Sequence, residues 1–190
     1  MGRIVTEGYL TGHLLVAMPA MGDPRFERSV IYMCAHSQAG ALGLIVNQIS
    51  EDITFPQLLE QLGIESPSLR RGIRVHVGGP VEQTRGFVLH SADYVQDATL
   101  VVDDNFGLTA SVDVLAAIAG GEGPRRSMLA LGYAGWEPGQ LESEILANGW
   151  LHVPADEDLL FDKDVGSKWE RAWHKIGFDV GQLSGDAGHA

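Results

Sequence analysis

The sequence predicts an α/β protein of the α+β type, with an antiparallel-rich mixed sheet flanked by about four helices. Three observations carry this expectation. Short runs rich in Val, Ile, Leu and aromatic residues dominate the first two thirds of the chain. Several of these runs are joined by connections too short for a helical crossover. Four segments switch to helical spacing between recognisable start and stop signals.

Strands are expected over 14–18, 29–35, 42–47, 73–77, 86–90, 99–102 and 127–133. β-Branched and aromatic side chains fit a pleated, half-buried surface, and the intervening Gly, Pro, Asp and Asn residues supply turns. Ser37-Gln38-Ala39-Gly40 and Asp103-Asp104-Asn105-Phe106-Gly107 have the length of hairpin connectors, so neighbouring strands should run antiparallel. A Rossmann-like parallel sheet is disfavoured. The 24 glycines exceed average usage and fit a chain with many tight turns.

The first helix starts at the capping box Thr54-Phe55-Pro56-Gln57, places Leu58, Leu59 and Leu62 on one face and stops at Gly63. A second runs from about Ser111 through Val112, Leu115 and Ile118 to Gly120-Gly121. The third begins near Pro138 or Gly139, turns Leu141, Ile145 and Leu146 inward and ends at Asn148-Gly149. A fourth covers 166–176, where Trp169 and Trp173 share the apolar face. The acidic segment 156–164 reads as a turn or short helix.

With 190 residues, no internal repeat and no linker-like stretch, a single domain over 1–190 is expected, with a frayed tail at 182–190. The apolar share of 45% excludes a disordered or collagen-like chain. A formal net charge of -12, from 25 acidic and 13 basic side chains, makes direct nucleic-acid or anionic-membrane binding unfavourable. The single cysteine, Cys34, lies in the apolar run Val30-Ile31-Tyr32-Met33-Cys34 and reads as a buried thiol in a reducing compartment. No apolar run approaches a membrane span and no signal-peptide pattern opens the chain, so a soluble, cytoplasmic protein is expected.

The motif richest in special geometry is Gly132 to Gly139, a strand-to-helix junction followed by Gln140, Glu142 and Glu144. A nucleophile elbow would need a serine at its apex, and Ala134 stands there instead. Backbone N–H groups at the following helix start could receive an anion, unless Glu142 or another local acceptor caps them. Gln140 and Glu144, four apart, share a helix face that excludes Glu142. Gly78-Gly79-Pro80 ends a strand as a close-approach turn rather than a phosphate loop, and Gly120 to Ser127 likewise lacks the phosphate-loop ending. The loop 19–29 mixes Asp23, Arg25, Glu27 and Arg28 around Phe26. The seven histidines show no pair at metal-ligand spacing, although His76 and His90 lie in successive β-runs, and the acidic clusters lack the calcium-loop pattern. Arg70-Arg71 with Arg74, and Arg125-Arg126, lack aromatic interleaving and are weak marks of a nucleic-acid surface.

Read in order, Leu14-Leu15-Val16-Ala17-Met18-Pro19, Asp23-Pro24-Arg25-Phe26-Glu27-Arg28-Ser29-Val30-Ile31-Tyr32, Gly43-Leu44-Ile45-Val46-Asn47, Gly78-Gly79-Pro80-Val81, Gly86 to Ser91, Gly132 to Trp136 and Gln140-Leu141-Glu142, with the Gly188-His189-Ala190 end, resemble the bacterial AlgH/YqgE family over nearly the whole chain. The resemblance implies a partly barrel-like sheet flanked by helices. It brings a transcriptional-regulator label and no accepted catalytic residues. Gln48-Ile49 follows Asn47 where the family pattern has Arg-Pro or Lys-Pro, which removes a positive charge from that loop.

Without a nucleophile, metal set or cofactor fingerprint, the sequence reads as a binding or regulatory module rather than an enzyme. Its candidate site comprises Asp23, Phe26, Arg28, Asn47, Gly78, Gly79, Pro80, Gly135, Trp136, Gln140, Glu142 and Glu144. Arg28 and Gln140 would make polar contacts and Trp136 a hydrophobic wall, and the partner would be a protein or a small anion. The alternative is a small carboxylate-assisted hydrolase, which needs two of Asp23, Glu142 and Glu144 to converge. An exposed sheet edge could serve self-association.

Overall fold

Every described strand pairing but one is antiparallel, as the short connectors predict. The structure, a computed structural model, describes residues 9–65 and 73–177. The expected tail at 182–190, the Gly188-His189-Ala190 end and the Arg70-Arg71 pair lie outside these residues. The strands are β1 (His13–Ala17), β2 (Val30–Ser37), β3 (Gly40–Ile45), β4 (Val75–Val77), β5 (Val81–Ser91), β6 (Thr99–Val101), β7 (Phe106–Thr109), β8 (Ser127–Trp136) and β9 (Trp150–Pro154). The helices are α1 (Phe55–Gln61), α2 (Val112–Ala119), α3 (Gln140–Leu146), α4 (Glu157–Phe161) and α5 (Lys168–Ile176), with a 3-10 turn at Val165–Ser167. The architecture is mixed α/β with an antiparallel-dominated sheet. The contacts divide it into two compact units, one containing residues 9–47 and 134–177, the other residues 48–133 apart from the undescribed stretch.

In the first unit the strands run in the order β9-β1-β2-β3, and the last residues of β8 pair with β3, Trp136 opposite Ala41 and Gly135 opposite Leu42. Ser37 pairs with Gly40, so Gln38-Ala39 forms the expected tight hairpin. Strand alternation sends Leu15, Ile31 and Met33 to one face, where they pack with Trp136, Leu141 of α3 and Trp150. On α5, Trp169 and Trp173 are buried as their helical spacing predicts, and Trp169 Nε1 donates to the Ala17 carbonyl at 2.9 Å. Burying side chains of this size contributes roughly 2 to 3 kcal/mol each. Cys34 is buried in β2, and burial pushes its thiol far above the ordinary range, so it stays protonated. Lys168 at the start of α5 is fully buried, its Nζ donating to the Val46 carbonyl at 3.0 Å and the Leu160 carbonyl at 2.7 Å.

In the second unit β6-β7-β5-β8 run antiparallel, with β5 between β7 and β8, and β4 pairs parallel to the other edge of β8. Helices α1 and α2 pack on it through Phe55, Leu58, Val114 and Ile118, against Val75, Val88 and Leu129. The capping box is present: Gln57 N–H donates to Thr54 Oγ1 at 3.3 Å, and Thr54 N–H to Gln57 Oε1 at 2.9 Å. His76 and His90, successive in sequence, flank β8 on opposite sides and do not face each other.

The structure departs from the sequence reading at definite places. β7 and β9 lie outside the expected strands: Phe106-Gly107 falls within the connector the sequence predicts, and 150–154 follows a helix stop and contains Pro154. Both become strands because an open sheet edge, β5 for one and β1 for the other, supplies hydrogen-bonding partners. β8 runs through Trp136, so Gly135 and Trp136 belong to a strand rather than to a junction, which shrinks to Glu137-Pro138-Gly139. The acidic segment forms α4, where the Asp156 carboxylate accepts the Leu159 N–H at 2.7 Å. Among the described residues no helix is long and apolar enough to cross a membrane.

Candidate functional site

The centre of the first unit's site is a carboxylate that accepts hydrogen bonds from two tryptophans. Glu144 Oε1 accepts from Trp150 Nε1 at 2.9 Å and from Trp136 Nε1 at 3.2 Å, and Oε2 accepts from Gln140 Nε2 at 2.9 Å. Residues 140 and 144 meet because they are one helical turn apart on α3, as the sequence implies. Gln140 is doubly engaged, since its Oε1 accepts the Glu137 N–H at 2.9 Å and tightens the turn into the helix. Glu144 therefore ties α3 to β8 and β9 at once.

Phe26 completes an aromatic cluster with the same two indoles, lying 6.4 Å from Trp136 at an interplanar angle of 21° and 5.7 Å from Trp150 at 66°. Trp136 and Trp150 meet edge to face at 6.2 Å. These centroid separations are those of rings in mutual contact, so the cluster is a packed wall with no room for a guest cation between its members.

Glu142 points elsewhere, to His36 Nε2, whose side chain is buried. His36 Nδ1 accepts the Leu10 N–H at 3.0 Å, so the hydrogen-bond network assigns the ring proton to Nε2, which donates to Glu142. Tyr9 stands edge-on to the imidazole at 5.0 Å, and the His36 N–H donates to Thr11 Oγ1 at 3.0 Å. Both imidazole nitrogens are consumed in fastening the 9–12 segment and α3 to the end of β2.

The loop between β1 and β2 is built from two successive turns, with Phe26 N–H donating to the Asp23 carbonyl and Ser29 N–H to the Phe26 carbonyl. Asp23 is engaged by Arg25 through its guanidinium at 2.7 Å and its backbone N–H at 3.0 Å, contacts that hold the Asp23 carboxyl below its ordinary range. Arg28 sits in the left-handed region with φ 57. That conformation is uncommon outside glycine. Asn47 holds it: its Nδ2 donates to the Arg28 carbonyl at 2.9 Å while its Oδ1 accepts the Val30 N–H at 2.9 Å. The Arg28 guanidinium lies 4.6 Å above the Trp169 ring and makes a single 3.5 Å contact to Glu170, with 60% of its side chain exposed.

The expected site thus resolves into separate groups. Phe26, Trp136, Gln140 and Glu144 meet, and Arg28 and Asn47 meet. Asp23 is held by Arg25, Glu142 by His36, and Gly135 is an exposed strand residue. Gly78, Gly79 and Pro80 belong to the second unit, where the Gly78 N–H donates to the Leu131 carbonyl at 2.8 Å and Gly79 packs against Gly132. No two of Asp23, Glu142 and Glu144 share a partner, so the convergence that carboxylate-assisted hydrolysis requires is not what these contacts build. The N-terminus of α3 offers no anion site either: the helix is two turns long, and its first N–H already donates to the Glu137 carbonyl. Among the described residues no group of three or more His, Cys, Asp and Glu side chains is arranged to hold a metal ion. Sequence reasoning missed His36 and Trp169, whose partners Glu142 and Ala17 are distant in the chain, and Trp150, whose partner Glu144 is near. For Trp150 the available signal is the helix stop at Asn148-Gly149, which turns the chain back beside Glu144.

The structure is of the mixed α/β class, with buried tryptophans and a buried histidine that brace α3 through its carboxylates. Comparison with known families matches residues 14–181 to the family described as AlgH-like, and the chain belongs to that family. It is 59% identical over 191 residues to a UPF0301 protein of Bradyrhizobium diazoefficiens, covering 96% of this chain and 89% of that one. A UPF0301 protein of Rhodospirillum rubrum is 55% identical, with 97% and 96% covered. Among solved structures, the AlgH protein from Pseudomonas aeruginosa superposes with a TM-score of 0.79 at 41% identity, covering 93% of this chain and 94% of that one. A Corynebacterium diphtheriae protein superposes at 0.70 with 23% identity and 86% of each chain covered, which shows the fold alone.

Proposed function

We propose that the chain is a binding module of regulatory type whose first unit captures an anionic group, carried by a protein or a small molecule, at Arg28. The observation that carries this reading is the pre-set arginine. Its backbone is locked in an uncommon conformation by Asn47, its guanidinium is laid on Trp169, and its one acidic neighbour is at the limit of contact while most of the side chain faces solvent. A guanidinium already ordered by stacking loses less entropy on binding, and its fork matches a carboxylate or phosphate. The Trp169 ring under the guanidinium supplies an ordered apolar face. On a chain of net charge -12, such a cation selects anions locally while the overall field opposes DNA. A transcriptional role would then run through a partner, in the cytoplasm.

Titration of the labelled protein with N-acetylglutamate and with inorganic phosphate, followed by nuclear magnetic resonance, tests the reading. Shifts are expected in residues 26–29 and at the Trp169 indole. Arg28→Ala should abolish them, and Arg28→Lys should weaken binding about tenfold, because the ammonium keeps the charge but loses the fork and the stacking. Shifts that persist in Arg28→Ala would overturn the proposal, as would tight, sequence-dependent DNA binding in an electrophoretic shift at physiological salt.

A further inference from the structure

At the outer edge of the second unit's sheet a row of apolar side chains stops short. Met128, Leu89 and Leu108 face one another in register across β8, β5 and β7, and all three are buried. Leu100 of β6 continues the row and is 48% exposed, because no described strand lies beyond it. On the opposite face Val101 is 58% exposed. The backbone is equally unfinished. The Val102 N–H donates to the Phe106 carbonyl at 3.1 Å, so 102 and 106 form a hydrogen-bonded pair. The alternation of antiparallel ladders then makes Val101 opposite Gly107 a non-bonded pair, with its N–H and C=O pointing away from β7. The Thr99 C=O points the same way, whereas its N–H is taken by the Gln96 carbonyl. Such an edge is a template for one more strand.

Charge decides which strand. Asp93, Asp97, Asp103, Asp104 and Asp113 fall within 91–113, a stretch without Lys or Arg. Among the described residues no cation pairs with Asp97, Asp103 or Asp104. Two copies of the chain paired antiparallel about Leu100 would bring the turn that carries Asp97 in each copy toward Asp103 of the other, and like charges brought together at both ends destabilise the pairing. We infer that β6 accepts an extended segment of a different protein, with an apolar residue beside Leu100 and Lys or Arg facing Asp97 and Asp103. Main-chain bonds to Val101 and Thr99 hold the segment, and the flanking aspartates select it.

The probe is a synthetic peptide with leucine at its centre, lysine at both ends and valine and threonine between, compared with the same peptide carrying glutamate at the ends. The lysine peptide is expected to bind about tenfold more tightly, with affinity falling as salt rises, and to slow hydrogen exchange at the Val101 amide. Val101→Pro removes an outward-facing donor and should lower affinity about tenfold. Asp97→Lys should erase the preference for the lysine peptide, and it leaves in place the Asp103 carboxylate, which accepts the Asn105 and Phe106 N–H groups. Equal binding of both peptides, protection outside 95–102, or light scattering that finds a dimer abolished by Val101→Pro would each overturn the inference.

Discussion

Glu142 and Glu144 are two residues apart and do different work. One fastens α3 to a buried histidine and the other to a pair of indoles. Helical geometry requires them to diverge, and that divergence was legible in the sequence; the identity of their partners was not, because His36 lies 106 residues from Glu142 along the chain. The glycines illustrate the same division. Gly132 and Gly139 both adopt left-handed φ values, +78 and +80. A Cβ at Gly132 would collide with the Gly79 carbonyl oxygen, whereas one at Gly139 meets nothing within 4 Å. Gly139→Ala should therefore cost about 1 kcal/mol of conformational strain, and Gly132→Ala roughly 2 to 4 kcal/mol once the clash is added. Urea denaturation of the two variants measures the difference. Equal losses would mean that the loop around Gly79 yields to the new methyl.

The capping box of α1 is a device the sequence announces and the structure realises, with both reciprocal bonds formed. Thr54→Ala should lower stability by about 1 kcal/mol, read from the urea midpoint at unchanged slope. A larger loss would mean that Thr54 supports more than its helix. Strands are less legible than helices here. A helix closes its hydrogen bonds within a few residues, so caps and spacing reveal it, but a strand needs a partner. β9 pairs with β1 across more than a hundred residues, and its Pro154 and the Gly149 before it look locally like the end of structure. The connector at 103–107 is a hairpin, as its length predicts, but a shorter one, since Phe106 and Gly107 already pair with Val101 and its neighbours.

For the whole molecule, the shifted histidines and aspartates act in one direction. Burial holds His90 below its ordinary 6.5, and burial, with His152 nearby, does the same for His13. Their protons are taken up more readily in the unfolded chain, so stability should fall as pH drops below about 6.5 and level off once the folded protein also protonates. Asp156 is pushed up by burial, but the Lys175 ammonium and the Leu159 N–H outweigh this and lower it. Arg25 lowers Asp23. The contribution of these carboxylates is complete above 3.8 and is lost as pH falls through their lowered values. Unfolding free energy measured from pH 7.5 to about pH 5 should decline, and His90→Gln should flatten part of that slope. A flat profile in the parent protein would contradict the burial of both imidazoles.

By itself the sequence determined the α+β class, the antiparallel preference, the helix starts and the family motifs, because these follow from short-range spacing, turn chemistry and connector length. It also placed Gln140 and Glu144 together on one helix face. Tertiary structure alone decided that the twelve candidate residues divide into separate groups, that Glu144 is shared by Trp136 and Trp150, and that Arg28 is pinned by Asn47 over Trp169. It also left the edge at Leu100 and Val101 open. The physical reason is one of range: local patterns set the dihedral angles of each element, but which side chains meet depends on strand order and on pairings between residues far apart in the chain.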